Sequence, residues 1–494
     1  MEEKLTDQER ARRDKLAKLV EAGVNPWGEK FERTDTTASI VEKAAGKTKE
    51  ELEANPIHVV IAGRIMLLRK MGKSSFLNIQ DKFGRAQAFI SIQTVGEEAY
   101  KIFKMTDTGD IVGLGGHLML TDTGTLTVRV DEFTFLTKSL RPLPEKFHGL
   151  SDVEERYRHR YVDLIMNEDS KRTALQRPQI IRGIQHYLDD KGFVEVETSV
   201  LQPILGGANA RPFITHHNTL DKDFYLRIAT ELSLKKLIVG GLEKVYEIGR
   251  LFRNEGMDTR HNPEFTTIEL YEAYGDLSSM RELSEGLIRH LVKDVLKKDK
   301  LVYQGKELDI DSEFRWVDMS ELVKEKTGLD FTGNISLEEA KQACIDRHIK
   351  VEPHWTSQGY FLNALFEECC EADLIQPTFV CHHPIEISPL TKKSADPRFV
   401  ERFELYMNGW EIANAYSELN DPIDQKERFK AQLAAKELGD DEANEMDNDF
   451  LEAMDYGMAP TGGIGIGIDR LCMLLTDQPS IREVILFPTM KDQK

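Results

Sequence analysis

The stretch FRNEGMDTRHNPEF, residues 252–265, joins two segments in which apolar and polar side chains alternate. The period of two in VYEIGRL before it and in TTIELYEAY after it predicts two antiparallel strands connected by a loop. The apolar positions, among them Tyr246, Ile248, Ile268 and Leu270, then share one face of the pair. The other face is predicted to carry an arginine, carboxylates and aromatic rings, namely Arg253, Glu255, Phe265, Glu269 and Tyr271.

This polar face has the composition of a nucleotide site. An arginine such as Arg253 can donate two parallel hydrogen bonds to phosphate oxygens, and Phe265 offers a flat ring on which a base can stack. A sheet surface held only by salt bridges is the alternative, but it does not explain a phenylalanine on the polar face. The pattern therefore favours binding of a nucleotide that carries both a base and phosphates.

A second polar cluster lies in RFELYMNGWEIANAYSELND, residues 402–421. Asn408-Gly409 is a strong signal for a two-residue hairpin turn, and it predicts that position 406 faces 411 and that 404 faces 413. Glu404 and Glu411 then lie diagonally on one face, about 7 to 8 Å apart, where they could hold Mg²⁺. An exposed acidic hairpin is the alternative interpretation.

Three more polar residues of this hairpin have the opposite parity. They join the same pocket only if the second strand contains a bulge. These residues are Asn414, Tyr416 and Glu418. Further along, Arg470 in GIGIDRL is predicted at the start of a helix that follows a glycine-rich strand, where it could supply another cation for phosphate.

The chain of 494 residues is too long for one compact core, so we expect two domains, 1–145 and 146–494, separated by a proline-marked hinge. Five short β-rich runs between residues 59 and 137 predict a small barrel of the oligonucleotide-binding type, with a β-sandwich as the alternative. The net charge of −20 means that any nucleic-acid contact needs local basic patches.

The composition also predicts a compartment. The charged start lacks the apolar core of a signal peptide, and no stretch approaches the ~18 to 20 apolar residues of a membrane span. Five cysteines, an odd number spread over a long chain, suit a reducing environment. We therefore expect a cytoplasmic protein without membrane segments.

Several of these stretches resemble a known family. GRLFRNEGMDTRHNPEF with TTIELYEAY is similar to motif 2 of class II aminoacyl-tRNA synthetases, and GGIGIGIDRLCMLLTDQPSIREVILFP is similar to motif 3. The predicted helix and strand ending at Pro203 resemble motif 1. LRPLPEKFHGLSDVEERYRHRYVDLI, GGANARPFITHHNTLD and NAYSELNDP resemble bacterial lysyl-tRNA synthetases, and the resemblance extends from about residue 57 to 491.

The resemblance implies an α+β protein: a five-stranded barrel that binds the anticodon, followed by an antiparallel sheet flanked by helices. It implies a homodimer formed through the motif 1 region. The implied reaction joins lysine to ATP as lysyl-adenylate and then transfers the lysyl group to the 3′ end of tRNA(Lys), releasing AMP and pyrophosphate.

The resemblance also implies roles for residues. The ATP site would comprise Arg253, Glu255, His261, Asn262, Phe265 and Arg470, with Arg253 and Arg470 as the catalytic pair. The lysine site would comprise Gly207, Glu231, Arg253, Glu269, Tyr271, Asn414, Tyr416 and Glu418. Glu404 and Glu411 would bind Mg²⁺, of which the family holds up to three ions per subunit. Phe76, Gln87 and Glu132 would read the central anticodon uridine. Trp410 departs from the family, where arginine is usual.

Other interpretations stay open at this point. An aspartyl or asparaginyl synthetase would share the barrel and the motifs, but its pocket needs a cation or an amide partner where Glu418 and Tyr271 stand. A nucleic-acid-binding regulator on the same scaffold would not need the Mg²⁺ ligands Glu404 and Glu411. Synthesis of dinucleoside polyphosphates is a secondary activity that the sequence leaves undecided.

Overall fold

The computed structural model describes residues 5–144, 152–208, 210–333, 335–440 and 445–492. The chain divides into two compact units, Met1–Ser151 and Asp152–Lys494. The predicted boundary, between positions 145 and 146, lies outside the described residues.

The first unit contains a closed barrel with the strand order β1-β2-β3-β5-β4. Its strands are β1 (His58–Met71), β2 (Ser74–Gln80), β3 (Arg85–Ser91), β4 (Ile111–Leu120) and β5 (Leu126–Thr137). Its helices are α1 (Asp7–Glu21), α2 (Thr37–Ala44), α3 (Lys49–Ala54) and α4 (Ile92–Lys104). Strands β3 and β5 are parallel, whereas the other pairs in the barrel are antiparallel.

The barrel closes around alternate side chains of its strands. Val59, Ile61 and Ile65 of β1 are buried in its core, whereas Val60 and Arg64, on the alternate positions, are partly exposed. This is the period-two pattern that the sequence predicts for a strand with one buried face. The predicted oligonucleotide-binding barrel is confirmed, and the alternative β-sandwich is wrong.

The second unit contains the remaining elements. Its helices are α5 (Val153–Arg158), α6 (Arg160–Met166), α7 (Glu168–Asp189), α8 (Glu231–Val239), α9 (Leu277–His290), α10 (Met319–Thr327), α11 (Leu337–Asp346), α12 (Gln358–Cys369), α13 (Pro422–Glu437), α14 (Asn448–Asp455), α15 (Ile468–Thr476) and α16 (Ile481–Val484). Its short outer strands are β6 (Val194–Glu195), β7 (Leu201–Gln202), β8 (Ile214–His217), β9 (Lys222–Leu226), β12 (Leu301–Tyr303) and β13 (Lys306–Leu308). The others are β10 (Lys244–Phe252), β11 (Glu264–Ala273), β14 (Arg315–Asp318), β15 (Thr378–Cys381), β16 (Arg402–Met407), β17 (Trp410–Ser417) and β18 (Thr461–Gly467).

An eight-stranded sheet organises this unit, in the order β14-β15-β16-β17-β18-β11-β10-β6. Its inner strands are antiparallel, as predicted, while the outermost pairs β14/β15 and β6/β10 are parallel. One face of the sheet packs on α7, α9 and α15 through the largest apolar core of the unit. The α+β fold class is confirmed, and the opposite face is left for the candidate site.

The hairpin predicted around residues 252–265 is present. Strands β10 and β11 are antiparallel, with Tyr246 opposite Leu270 and Ile248 opposite Ile268, all four in or against the large core. One detail of the prediction is wrong: Arg253 and the exposed Glu255 are not on the strand. They begin the loop, because β10 ends at Phe252.

Among the described residues, no helix combines the length and the apolar character needed to cross a membrane.

Candidate active site

The floor of the site is the glycine-rich strand β18, which lies between β11 and β17. Gly463 pairs with Tyr271 on one side and Tyr416 on the other, and Gly465 pairs in the same way with Glu269 and Asn414. The alternate residues Ile464 and Ile466 point into the large core. The run GGIGIG thus places isoleucine on the buried face and leaves the polar face without side chains, which opens space between two rows of functional groups.

A cavity of about 720 Å³ covers this floor. It is lined by every site residue that the sequence predicts in the second unit: Gly207, Glu231, Arg253, Glu255, His261, Asn262, Phe265, Glu269, Tyr271, Glu404, Glu411, Asn414, Tyr416, Glu418 and Arg470. The structure therefore brings together residues that are up to 263 positions apart (470 − 207).

One end of the cavity is a cluster of buried carboxylates, Glu231, Glu269 and Glu418. Glu269 accepts hydrogen bonds from the Thr230 amide at 3.2 Å and from the Tyr271 hydroxyl at 3.4 Å. Burial and the neighbouring Glu231 carboxylate raise the pKa of Glu269 to about 7. Such clustering of like charges without exposure to water is unfavourable unless a cation binds among them.

Glu418 is the most deeply buried of these groups, with a side chain that is 0% exposed. Its Oε2 atom forms an ion pair with Lys235, and neither oxygen accepts a hydrogen bond of regular geometry from the described residues, so Oε1 has neither kind of partner. A Cβ atom on Gly463 would lie only 2.1 Å from this Oε1, so the unpartnered oxygen stands above the glycine floor. It is an acceptor that is prepared for a donor from a ligand.

The opposite end carries the cations and the aromatic ring predicted for a nucleotide. The guanidinium of Arg253 lies over the ring of Phe265, 5.2 Å from its centre, and the buried Nε of Arg253 has no partner among the described residues. Arg470, near the start of α15 as predicted, donates to Nε2 of His261 at 3.0 Å. Asp258 lies 2.8 Å from Nδ1 of the same ring, so Nδ1 carries the proton and Nε2 is the acceptor.

Asn262 has a different environment. Its Nδ2 donates to the Glu264 carbonyl at 2.7 Å, and its Oδ1 accepts from the Thr489 amide at 3.3 Å. Both ends of the buried side chain are thus engaged in shaping the loop. A direct contact between Asn262 and ATP stays a prediction.

The predicted carboxylate pair is on β16 and β17, and Glu411 lies 3.7 Å from a guanidinium nitrogen of Arg470. The two-residue turn and the pairing of Tyr406 with Glu411 are as predicted, but the pairing of 404 with 413 is wrong. A bulge shifts the register by one residue, so that Glu404 faces Asn414. The sequence analysis required such a bulge for Asn414, Tyr416 and Glu418 to line the same pocket as Glu411.

Carboxylates accumulate around this pair. Burial and Glu404 raise the pKa of Glu411, although its side chain is still 40% exposed. Burial, together with Glu367, Glu404 and Glu411, raises the pKa of Glu371 to about 7. All four line the cavity. Oxygen-rich, negatively charged sites of this kind match the preference of Mg²⁺, so the residues present fit that ion.

Two functional groups escaped the sequence analysis. Arg402 is buried, pairs with Glu404, donates to Oδ1 of Asn414 at 3.0 Å and lies over the Tyr416 ring at 5.5 Å. It is two residues before Glu404 on the same strand, so the period of two places both side chains on one face, and this parity is the signal that could have identified Arg402. Lys235 is completely buried, yet its LKKL context is typical of an exposed helical face.

The three predicted anticodon residues belong to the barrel and are described separately. Phe76 on β2 pairs with Phe89, their ring centres 5.0 Å apart, and Gln87 on β3 donates to Thr127 at 2.9 Å. Glu132 on β5 is exposed and lies against Gly115. Phe76 and Gln87 are diagonal neighbours, since Gln87 is opposite Asn78, two residues beyond Phe76.

Trp410, the departure from the family pattern, packs edge-on against Tyr303 with ring centres 5.1 Å apart, at the margin of the large core. The aromatic ring at this position is accommodated by apolar packing.

Comparison with known proteins gives the same division of the chain. The family described as tRNA synthetases class II (D, K and N) matches residues 152–491, and the OB-fold nucleic acid binding domain matches residues 59–136. A lysine–tRNA ligase of Lysinibacillus sphaericus is 55% identical over 490 residues, which cover 99% of this chain and 98% of the relative. The lysine–tRNA ligases of Streptococcus agalactiae serotype V and Lactococcus lactis subsp. cremoris are each 54% identical over 99% of both chains. The chain belongs to the class II tRNA synthetases and, within them, to the lysine–tRNA ligases.

Proposed function

We propose that the protein activates lysine with ATP to form lysyl-adenylate and pyrophosphate, and then transfers the lysyl group to the 3′ end of tRNA(Lys), releasing AMP. The observation that carries this proposal is the separation of opposite charges between the two ends of the cavity. A buried carboxylate end stands at one side, and an arginine and phenylalanine end stands at the other, on a floor that β18 keeps open.

The carboxylate end fits the lysine substrate. Glu418 and Tyr271 would receive the ε-ammonium group, with Glu269 and Tyr416 lining the pocket, while Glu231 and Gly207 would receive the α-amino group. Oε1 of Glu418 supplies the unpartnered acceptor that such a cation needs. An uncharged analogue would leave Oε1 of this buried carboxylate without a donor, a cost of roughly 1 to 3 kcal/mol.

The nucleotide end fits ATP. Phe265 would stack on adenine, Glu255 and His261 would contact the nucleotide, and Arg470 would bind the outer phosphates. Arg253 would bridge the lysine carboxylate and the α-phosphate, and Asn414 would assist at that carboxylate. The Nε of Arg253 supports this assignment, because it is buried without a hydrogen-bond partner in the part of the chain that the structure describes and can donate to an acceptor from a ligand.

The chemistry requires positioning rather than proton transfer. A lysine carboxylate oxygen attacks the α-phosphorus, the bond from that phosphorus to the bridging oxygen breaks, and pyrophosphate leaves with the electron pair. The attacking carboxylate is already ionised at pH 7, so the first step needs no general base. Arg253 and Arg470 would neutralise the charge that develops on the phosphates.

Glu404 and Glu411 would hold Mg²⁺, with Arg402 and Tyr406 fixing the orientation of the Glu404 carboxylate. When bound, Mg²⁺ neutralises phosphate charge and orients the phosphates of ATP. Glu367 and Glu371 also line the cavity, and their carboxylates could compensate the charge of more than one ion. The family uses up to three.

The barrel would read the anticodon. Phe76 would stack on the central uridine, and Gln87 and Glu132 would contact its edge. The exposed face that carries Glu132 and the diagonal placement of Phe76 and Gln87 support this role.

We further propose a cytoplasmic homodimer that assembles through the motif 1 region. Large apolar side chains are exposed along this region and just beyond it: Val194 (54%), Leu201 (44%), Ile214 (64%) and Leu220 (60%). Leu201 and Ile214 belong to one three-stranded sheet, β7-β9-β8, so exposed apolar groups of this region support an interface there. The five cysteines are free, which fits a reducing compartment.

The direct test is aminoacylation. Purified protein, ATP and Mg²⁺ are incubated with one labelled amino acid at a time, including lysine, aspartate and asparagine, and with either the tRNA specific for that amino acid or a tRNA with another anticodon. Acid-precipitable lysine on tRNA(Lys) alone supports the proposal. Charging of tRNA with aspartate or asparagine instead would replace it by one of the sister activities, and no charging with any amino acid would favour a nucleic-acid-binding role.

A further inference from the structure

The lysine pocket contains a buried cation of its own. Lys235 lies one turn after Glu231 on α8, with a side chain that is 0% exposed. Its Nζ atom lies 2.5 Å from Oε1 of Glu231, forms an ion pair with Oε2 of Glu418 and lies 3.4 Å from the Leu390 carbonyl. Glu231 and Glu418 line the cavity, so Lys235 contacts the pocket carboxylates from behind.

This arrangement leaves defined atoms for a ligand. On Glu418, Lys235 engages Oε2, and Oε1 stands above Gly463 without a partner among the described residues. On Glu231, Lys235 engages Oε1. One internal ammonium group thus contacts two of the three carboxylates of the pocket.

We propose that Lys235 is a positioning residue that sets the charge and the orientation of the lysine pocket, holding Glu231 and Glu418 so that one oxygen of each faces the two ammonium groups of the substrate. The inference rests on the proposed function, which it deepens. Lys235 does not touch the substrate, and it acts through the two carboxylates.

The charge balance shows why the pocket needs this residue. Glu231 and Glu418 place two carboxylates around one buried cation, Lys235, in a pocket that would also receive the two ammonium groups of lysine. Glu269 adds little negative charge below about pH 7, because burial and Glu231 raise its pKa to about 7. A buried carboxylate without a compensating cation becomes protonated, and then it no longer selects a charged side chain.

The titration of Glu418 makes the role measurable. Burial raises the pKa of Glu418, the Lys235 cation opposes this rise, and Glu231 and Glu269 add to it. The titratable or charged groups around Glu418 are Lys235 and Glu231 on α8, Glu269 and Tyr271 on β11, and Tyr416 on β17. Removing Lys235 therefore moves the ionisation of Glu418 to higher pH.

The experiment measures lysine-dependent exchange of pyrophosphate into ATP between pH 7 and pH 9.5 for wild type and Lys235→Met, because the pKa of Glu418 is raised to about 8 while Lys235 is present. We expect the lysine KM of the variant to rise about tenfold or more at pH 7 and to approach the wild-type value as the pH increases. The KM for ATP should stay within about twofold. Lys236→Met is the matched control, since Lys236 is next in sequence but partly exposed and paired with Asp449.

A double-variant comparison guards against a folding defect. Because Lys235 acts partly through Glu418, Lys235→Met should raise the lysine KM by a smaller factor in a Glu418→Gln background than in wild type. The double variant also lacks one of the unbalanced carboxylates, so it can be compared with Glu418→Gln even where the single variant does not fold. Equal factors in the two backgrounds would overturn the role through Glu418.

The outcomes separate the two proposals. If wild type catalyses lysine-dependent exchange and Lys235→Met has the same lysine KM at every pH, only the inference about Lys235 fails. If wild type does not exchange with lysine, the proposed function fails and the inference fails with it. A lower melting temperature with an unchanged pH profile of the lysine KM would assign Lys235 a purely structural role.

Discussion

A Cβ atom on Gly463 would lie 2.1 Å from Oε1 of Glu418, which is closer than a carbon and an oxygen that are not bonded can approach. The same Cβ would lie 2.6 Å from the Tyr271 ring. The pocket therefore requires glycine at this position. Because glycine has no side chain, the Glu418 carboxylate occupies the space that a Cβ atom would fill.

Gly463→Ala should raise the lysine KM by about tenfold or more, because either Glu418 or Tyr271 must move. The measurement is lysine-dependent pyrophosphate exchange at saturating ATP. Gly465→Ala is the control on the same strand, since its Cβ would meet Glu269 at an ordinary 3.6 Å. Equal effects of the two substitutions would contradict the steric account.

Arg253→Ala should reduce kcat for adenylate formation by about 10² to 10³, the loss typical of removing one group that stabilises a charged transition state. Melting temperature and ATP binding report whether the loss is chemical or structural. Arg250→Ala is a suitable control because Arg250 is on β10 nearby with a side chain that is 47% exposed. If Arg253→Ala kept wild-type kcat, the assignment of Arg253 to the reacting centre would be wrong.

Phe76→Ala should weaken charging of tRNA(Lys) and leave adenylate formation unchanged. Stacking of a base on an aromatic ring is worth about 1 to 3 kcal/mol, so kcat/KM for tRNA should fall roughly 5- to 150-fold. Aminoacylation and pyrophosphate exchange are measured on the same preparation, and the exchange reaction is the internal control. A parallel loss in both would contradict the separation of anticodon reading from catalysis.

Glu269 gives a prediction about pH. Burial, with help from Glu231, raises its pKa from 4.5 to about 7. The unfolded chain releases this proton near 4.5 while the folded protein keeps it, so this group makes the free energy of unfolding fall as the pH rises from 4.5 to 7. The pKa difference is worth about 3 kcal/mol at most.

Glu269→Gln does not titrate, so its melting temperature should rise by a few degrees relative to wild type between pH 5 and pH 8. Differential scanning calorimetry at several pH values measures this difference. Glu264→Gln on the same strand, with a side chain that is 47% exposed, is the control. A constant difference across the pH range would show that Glu269 is ionised in the folded protein throughout.

The hairpins were predictable because their information is local. Alternation around residues 252–265 predicted that Tyr271 and Glu269 lie on the polar face of the sheet. Asn408-Gly409 predicted the turn between β16 and β17. The register beyond that turn was not predictable, because a bulge is favoured by what the strand packs against. Here the bulge lets Glu411 and Asn414 line one pocket.

Buried charges were the other limit of the sequence analysis. Lys235 and Arg402 look like ordinary surface residues when only neighbours in sequence are known. Their burial depends on polar groups that come from other parts of the chain: the Glu418 carboxylate pairs with Lys235, and the side-chain oxygen of Asn414 accepts a hydrogen bond from Arg402. Such long-range charge pairing has no period along the chain.

The central claim is tested most directly by exchange of labelled pyrophosphate into ATP, with each of the twenty amino acids in turn, in the presence of Mg²⁺ and without tRNA. We predict exchange with lysine alone, because the carboxylate end of the cavity needs two ammonium groups. Exchange with aspartate or asparagine, or with no amino acid at all, would contradict this account.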